Sequence, residues 1–97
     1  MKLLFSAAAR RELNEAALWL ELQERGLGER FLEEVAEARR QIIANPDAWH
    51  PLGPLLRRCR LKRFRYGLIY RLKPGLIEVI AVAHDRQRPG YWRDRLR

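Results

Sequence analysis

The sequence predicts an α+β domain of order β-α-α-β-β-β, with a helix hairpin packed on a small, mainly antiparallel sheet. Two helical periodicities separated by a glycine break fill the first half of the chain. Two strand-like runs joined at Pro74-Gly75 dominate the second half. Between the halves, Pro46, Pro51, Gly53 and Pro54 mark a crossing loop. A chain of 97 residues builds one domain, residues 1–97, with one modest core. At this size only about 60 to 70% of the unfolded surface is buried.

Residues 2–5 are short and apolar, a first strand, and Ser6 can accept a hydrogen bond from the first free amides of a following helix. Over 7–25, Ala9, Leu13, Ala16, Ala17 and Leu20 recur at helical spacing, while Glu12, Glu15, Glu21 and Glu24 fall largely elsewhere. Gly26 and Gly28 end that pattern. A second helix over 29–44 carries a stripe of Phe31, Val35, Ala38 and Ile42, widened by Leu32 and Ile43, until Asn45-Pro46 stops it. The short connection makes the two helices an antiparallel hairpin.

Residues 46–54 read as loop. Over 55–62, Leu55, Cys59 and Leu61 form a packing face against Arg58, Arg60 and Lys62 on the other. Tyr66, Leu68, Tyr70 and Leu72 then alternate with Gly67, Ile69, Arg71 and Lys73, the period of a half-buried strand. In the last run, Leu76, Ile80 and Val82 fall on one face and Ile77, Val79, Ala81 and Ala83 on the other. Both faces are apolar, so this is the central strand. The Pro74-Gly75 turn makes it antiparallel to its predecessor.

With 47% hydrophobic and 33% charged residues, the composition is that of a folded soluble domain. No apolar run approaches the roughly 20 residues that cross a bilayer. The apolar start is cut short by Arg10, Arg11 and Glu12, too soon for a signal peptide, and a cytoplasmic location is expected. Cys59 is the single cysteine, which excludes an intrachain disulfide and a cysteine zinc site, and it reads as a small core residue. Glu29, Glu33, Glu34 and Glu37 have no histidine among them, so a solvated helix face is expected rather than a metal site. No cofactor is implied.

The net charge of +8 favours polyanionic or acidic partners. Most acids lie between Glu12 and Glu37, whereas Arg57, Arg58, Arg60, Lys62, Arg63, Arg65, Arg71 and Lys73 crowd the strands with no acid among them. The sheet half is the electropositive half.

After the central strand come His84, Asp85, Arg86, Gln87, Arg88, Tyr91, Trp92 and Arg93. A possible proton donor, several guanidinium groups and a phenol form a reasonable kit for metal-free RNA cleavage. A general base is missing from it: Glu78 is the one carboxylate inside the strands, and Asp85 can equally pair with an arginine. A structural role fits the same residues, with Tyr91 and Trp92 covering the open edge of the core and His84 and Asp85 satisfying backbone groups at the strand end.

Phe64, Tyr66, Ile69, Tyr70 and Arg71 on one strand, followed by Ala81, Val82, His84, Arg86, Arg88, Pro89, Tyr91 and Trp92, resemble the RelE/ParE toxins of type II toxin–antitoxin systems, and more closely their ParE-like branch. The likeness covers nearly the whole chain and departs at Arg65, where relatives often carry proline. It implies a stoichiometric growth inhibitor, not an enzyme, that binds and traps DNA gyrase and is neutralised by an antitoxin in a hetero-oligomer. The expected target contacts are Arg86, Arg88, Tyr91, Trp92 and Arg93. The expected antitoxin contacts are Trp19, Arg58, Arg60 and Lys62, facing an acidic helical segment. The alternative is a RelE-like, ribosome-dependent mRNA endoribonuclease with His84, Arg86 and Tyr91 as catalytic candidates.

Overall fold

The computed structural model describes residues 1–97. Its elements are β1 (Lys2–Phe5), α1 (Ala7–Gln23), α2 (Leu27–Ala44), β2 (His50–Gly53), β3 (Leu56–Arg60), β4 (Tyr66–Lys73), β5 (Leu76–His84) and a 3-10 turn at Arg93–Leu96. The five strands form one sheet in the order β1-β5-β4-β3-β2, with β1 parallel to β5 and every other pair antiparallel.

The architecture is the predicted one with an added strand. His50–Gly53, expected as loop, pairs with β3 as an edge strand, and its register breaks between Pro51 and Gly53. An edge is where a sheet tolerates proline, which has no N–H to give a ladder. Ser6 caps α1 as expected, its Oγ accepting the Ala9 N–H at 3.1 Å. Gly28 does not stop a helix. It lies inside α2, buried against α1, and its N–H donates to Glu21.

The helices cover one face of the sheet. Ala9, Leu13, Ala16 and Leu20 of α1 and Phe31, Val35, Ala38 and Ile42 of α2 pack on Leu3, Cys59, Leu68, Tyr70, Ile77 and Val79. Full burial of a large apolar side chain contributes about 1.5–3 kcal/mol, so this layer supplies most of the stability. Leu32, expected to widen the α2 stripe, is 43% exposed. Leu55 is 61% exposed, and its neighbour Leu56 is buried on the opposite face of the sheet.

β5, expected as the central strand, is interior between β1 and β4, and it contains a bulge that its sequence conceals. Ile69 pairs with Ala81 but Tyr70 pairs with Val79, so Ile80 has no partner across the ladder. Side-chain parity therefore reverses at Ile80. Ile77 and Val79 face the helices before it, and Val82 faces them after it, while Ile80 and Ala81 turn to the other side. The expected grouping of Val82 with Ile80 is corrected accordingly.

The helix-free face has its own smaller core. Leu56, Ile69, Ile80 and Ala81 lie beneath Trp92, with Leu52, Ala83, Tyr91 and Leu96 at the margin. The chain after β5 thus folds back over the sheet as a third layer.

A cationic cleft as the candidate functional site

β1 pairs with β5 only as far as Val79, which leaves the next stretch of that β5 edge without a strand. Two side chains satisfy it. The Val82 N–H donates to Glu12 Oε1 at 3.0 Å, and Arg95 Nη1 donates to the Ile80 carbonyl at 2.9 Å. Arg95 and Glu12 also pair with each other, and the Tyr91 hydroxyl donates to Glu12 Oε2 at 2.7 Å. Burial alone would raise the Glu12 pKa, but the bonds from Arg95, Tyr91 and Val82 outweigh it and hold the carboxyl below its ordinary value. Burial, reinforced by the bond to Glu12, pushes the Tyr91 phenol well up.

This anchor fixes the tail against the helix-free face, and a cleft of about 400 Å³ opens between the tail and β3. Arg58 and Arg60 line one side and Arg88 and Arg93 the other, with Ile69, Ala83, His84 and Trp92 between them. Arg58 shares the helix-free face with Leu56, so the alternation expected for this strand delivers its cations here. The Arg93 guanidinium lies 5.1 Å from the Trp92 ring centroid, a cation–π contact. Asp85 is the one acid in the lining, and Arg60 neutralises it at 3.6 Å.

The expected target-contact residues separate into two groups. Arg86, Arg88 and Arg93 are exposed. Trp92 is only 4% exposed and belongs to the core of this face, so its side chain supports the cleft from below. Tyr91 is half-buried and its hydroxyl is engaged by Glu12. His84 stacks edge-on against Tyr66 at 4.9 Å, and its Nδ1 accepts the Arg86 N–H at 3.0 Å. The neutral ring therefore carries its proton on Nε2.

The expected antitoxin contacts do not form one surface. Arg58 lies in the cleft, and Arg60 stands between it and a second groove of about 620 Å³ beside α2. Lys62 lines only that second groove, with Leu27, Trp49, Arg63 and Phe64. Trp19, on α1, is 56% exposed and lines neither.

Sequence reasoning missed Glu12 and Arg95. Glu12 has the spacing of a solvated helix residue, and nothing local signals a partner at the far end of the chain. Glu78, by contrast, pairs with Arg71 at 2.7 Å and Lys73 at 3.4 Å near the Pro74-Gly75 turn, away from the cleft.

The fold sets the helix hairpin on one face of the sheet and the tail on the other. It is similar to a chain of the solved "Chromosomal ParDE TA system from P. aeruginosa", at a TM-score of 0.64 and 20% identity over 87% of this chain and 95% of that one. No curated protein matches the sequence. A family model described as "ParE toxin of type II toxin-antitoxin system, parDE" matches residues 3–89, and the chain belongs to that family.

Proposed function

We propose that this toxin stops growth by binding DNA gyrase and trapping it, and that a cognate antitoxin neutralises it. The observation that carries the reading is how the acid–base groups around the cleft are engaged. The Tyr91 hydroxyl is held by Glu12, Glu12 by Arg95, and His84 Nδ1 by the Arg86 N–H. No base stands free to take a 2′-hydroxyl proton, as RNA cleavage requires. What stays free is cationic: Arg86, Arg88 and Arg93 are a surface for binding, and Tyr91 and Trp92 hold that surface in shape.

The groove beside α2 suits an antitoxin segment. Leu27, Trp49 and Phe64 offer apolar contact, and Arg60, Lys62 and Arg63 offer charge to an acidic amphipathic chain. Trp19, with Leu18 and Leu22, adds a separate exposed apolar strip on α1. Antitoxin segments that wrap the toxin would cover both in a hetero-oligomer. No helix is long and apolar enough to cross a membrane, and a gyrase target implies action in the cytoplasm.

The test sets two assays side by side. Purified toxin is added to gyrase supercoiling reactions and to a translating system with labelled mRNA. Stoichiometric loss of supercoiling with intact mRNA is expected. Cleaved mRNA with normal supercoiling would replace this reading by the endoribonuclease with His84, Arg86 and Tyr91.

A further inference from the structure

Arg58 and Arg93 reach the cleft from opposite walls, and each lies across a glycine. A Cβ at Gly67 would stand 3.3 Å from Arg58 Cγ and 3.4 Å from Cδ, so the bare strand lets the Arg58 stem lie on the sheet. A Cβ at Gly90, where φ is +77°, would stand 2.7 Å from Arg93 Nε. Arg93 folds over that turn and is held on the Trp92 ring. Both guanidinium groups are therefore set in position without an intramolecular carboxylate. Arg58 Nε is buried and has no hydrogen-bond partner at all. Nε is enclosed, and the terminal nitrogens of the same guanidinium are the donors left for a ligand oxygen in the cleft.

We propose that this cleft binds the phosphodiester backbone of a single nucleic-acid strand. A strand carries one anionic phosphodiester per nucleotide, so a strand threaded between the Arg58 wall and the Arg88–Arg93 wall offers non-bridging oxygens to both. Guanidinium groups match such oxygens in geometry as well as in charge. Ala83, partly exposed at the floor, can meet the sugar edge, and Asp85 does not repel the strand because Arg60 covers it. The proposal deepens the gyrase reading, since gyrase handles DNA and a toxin holding one strand would act on the enzyme–DNA complex.

The experiment measures fluorescence anisotropy of a short labelled single-stranded oligodeoxynucleotide against the folded toxin alone, across a salt series. Three variants and a competitor accompany it. Arg58→Gln/Arg88→Gln/Arg93→Gln is expected to weaken binding at least about tenfold and to flatten the salt dependence by about 0.7 logarithmic units for each phosphate no longer neutralised. Lys2→Gln/Arg11→Gln/Arg25→Gln removes the same charge from exposed sites elsewhere and is expected to change binding less than about twofold once screened by salt. Gly67→Ala keeps every charge and is expected to weaken binding by displacing Arg58. If the cleft triple does not fold, the exposed single variant Arg93→Gln takes its place.

Equal losses in the two triples would overturn the proposal in favour of net charge alone. A polyglutamate peptide of matched charge that displaces the oligonucleotide at equal concentration would overturn it in favour of an acidic protein partner. Gyrase is absent from this measurement, so failure here leaves the gyrase reading standing. Strand binding without any effect on supercoiling would sink the gyrase reading alone.

Discussion

Arg95 grips Glu12 with two nitrogens, Nη1 to Oε1 at 2.8 Å and Nη2 to Oε2 at 3.0 Å, across the strandless edge of β5. The pair joins the first helix to the tail and occupies the position where another strand would lie. Both side chains are less than one-third exposed, so the pair is stronger than a surface ion pair. Removing one partner leaves the other half-buried and unpaired.

Glu12→Gln should therefore lose about 1–3 kcal/mol of stability in urea unfolding, a large share of the roughly 5–15 kcal/mol that holds such a domain. A loss below about 0.5 kcal/mol would show that the tail is not anchored there. The same variant should change the pH dependence. The folded carboxyl lies below its ordinary value of 4.5, so its contribution is fully present above that pH and is lost as pH falls through the folded pKa. The wild type should lose stability below about pH 4.5 more steeply than Glu12→Gln. Parallel acid titrations would refute this.

Trp92 is expected to act through the fold. Trp92→Ala should cost about 3–5 kcal/mol, as truncation of a buried tryptophan does, and toxicity should fall with the folded fraction. Trp92→Phe should keep most of both. A Trp92→Ala protein with wild-type unfolding behaviour and no toxicity would instead make the indole a target contact.

If the toxin traps gyrase as proposed, His84→Ala should leave that inhibition within about tenfold of wild type, because a trapping inhibitor transfers no proton. Loss of a general acid or base costs about 10²–10⁴-fold, and a folded His84→Ala protein impaired to that degree would restore the catalytic reading.

Charge reversal should separate the two basic surfaces. Lys62→Glu/Arg63→Glu, in the groove beside α2, should slow antitoxin association by about tenfold at low salt, with the difference shrinking as salt rises. Arg58→Glu, in the other cleft, should leave that rate nearly unchanged. Stopped-flow association at two ionic strengths decides it, and the reverse ranking would move the antitoxin to the helix-free face.

Much of this fold was legible because its periods are clean. The stripe from Phe31 to Ile42, the alternation from Tyr66 to Leu72 and the Ser6 cap each express one local rule, and the structure obeys them. Cys59 is core as expected, and burial pushes its thiol up to about 11. The bulge at Ile80 was not legible, because a strand apolar on both faces gives parity no contrast to lose. β2 was hidden by the same prolines and glycine that mark loops. At the site, the cations of β3 and the tail could be read, but not their meeting across a cleft. That meeting depends on Glu12, Arg95 and two glycines whose effect is felt only in three dimensions.

The pairing of β1 with β5 also constrains when the molecule can exist. Leu3 finds its register against Ile77, and Glu12 waits for Arg95. During synthesis on the ribosome, the helix hairpin can form early, but its sheet stays open until the most distant parts of the chain have emerged. Contacts of such long sequence separation close slowly, and until they do the β4–β5 hairpin exposes a bare edge. A nascent chain therefore lacks the anchored tail, and with it the cationic cleft, until synthesis has passed Arg95.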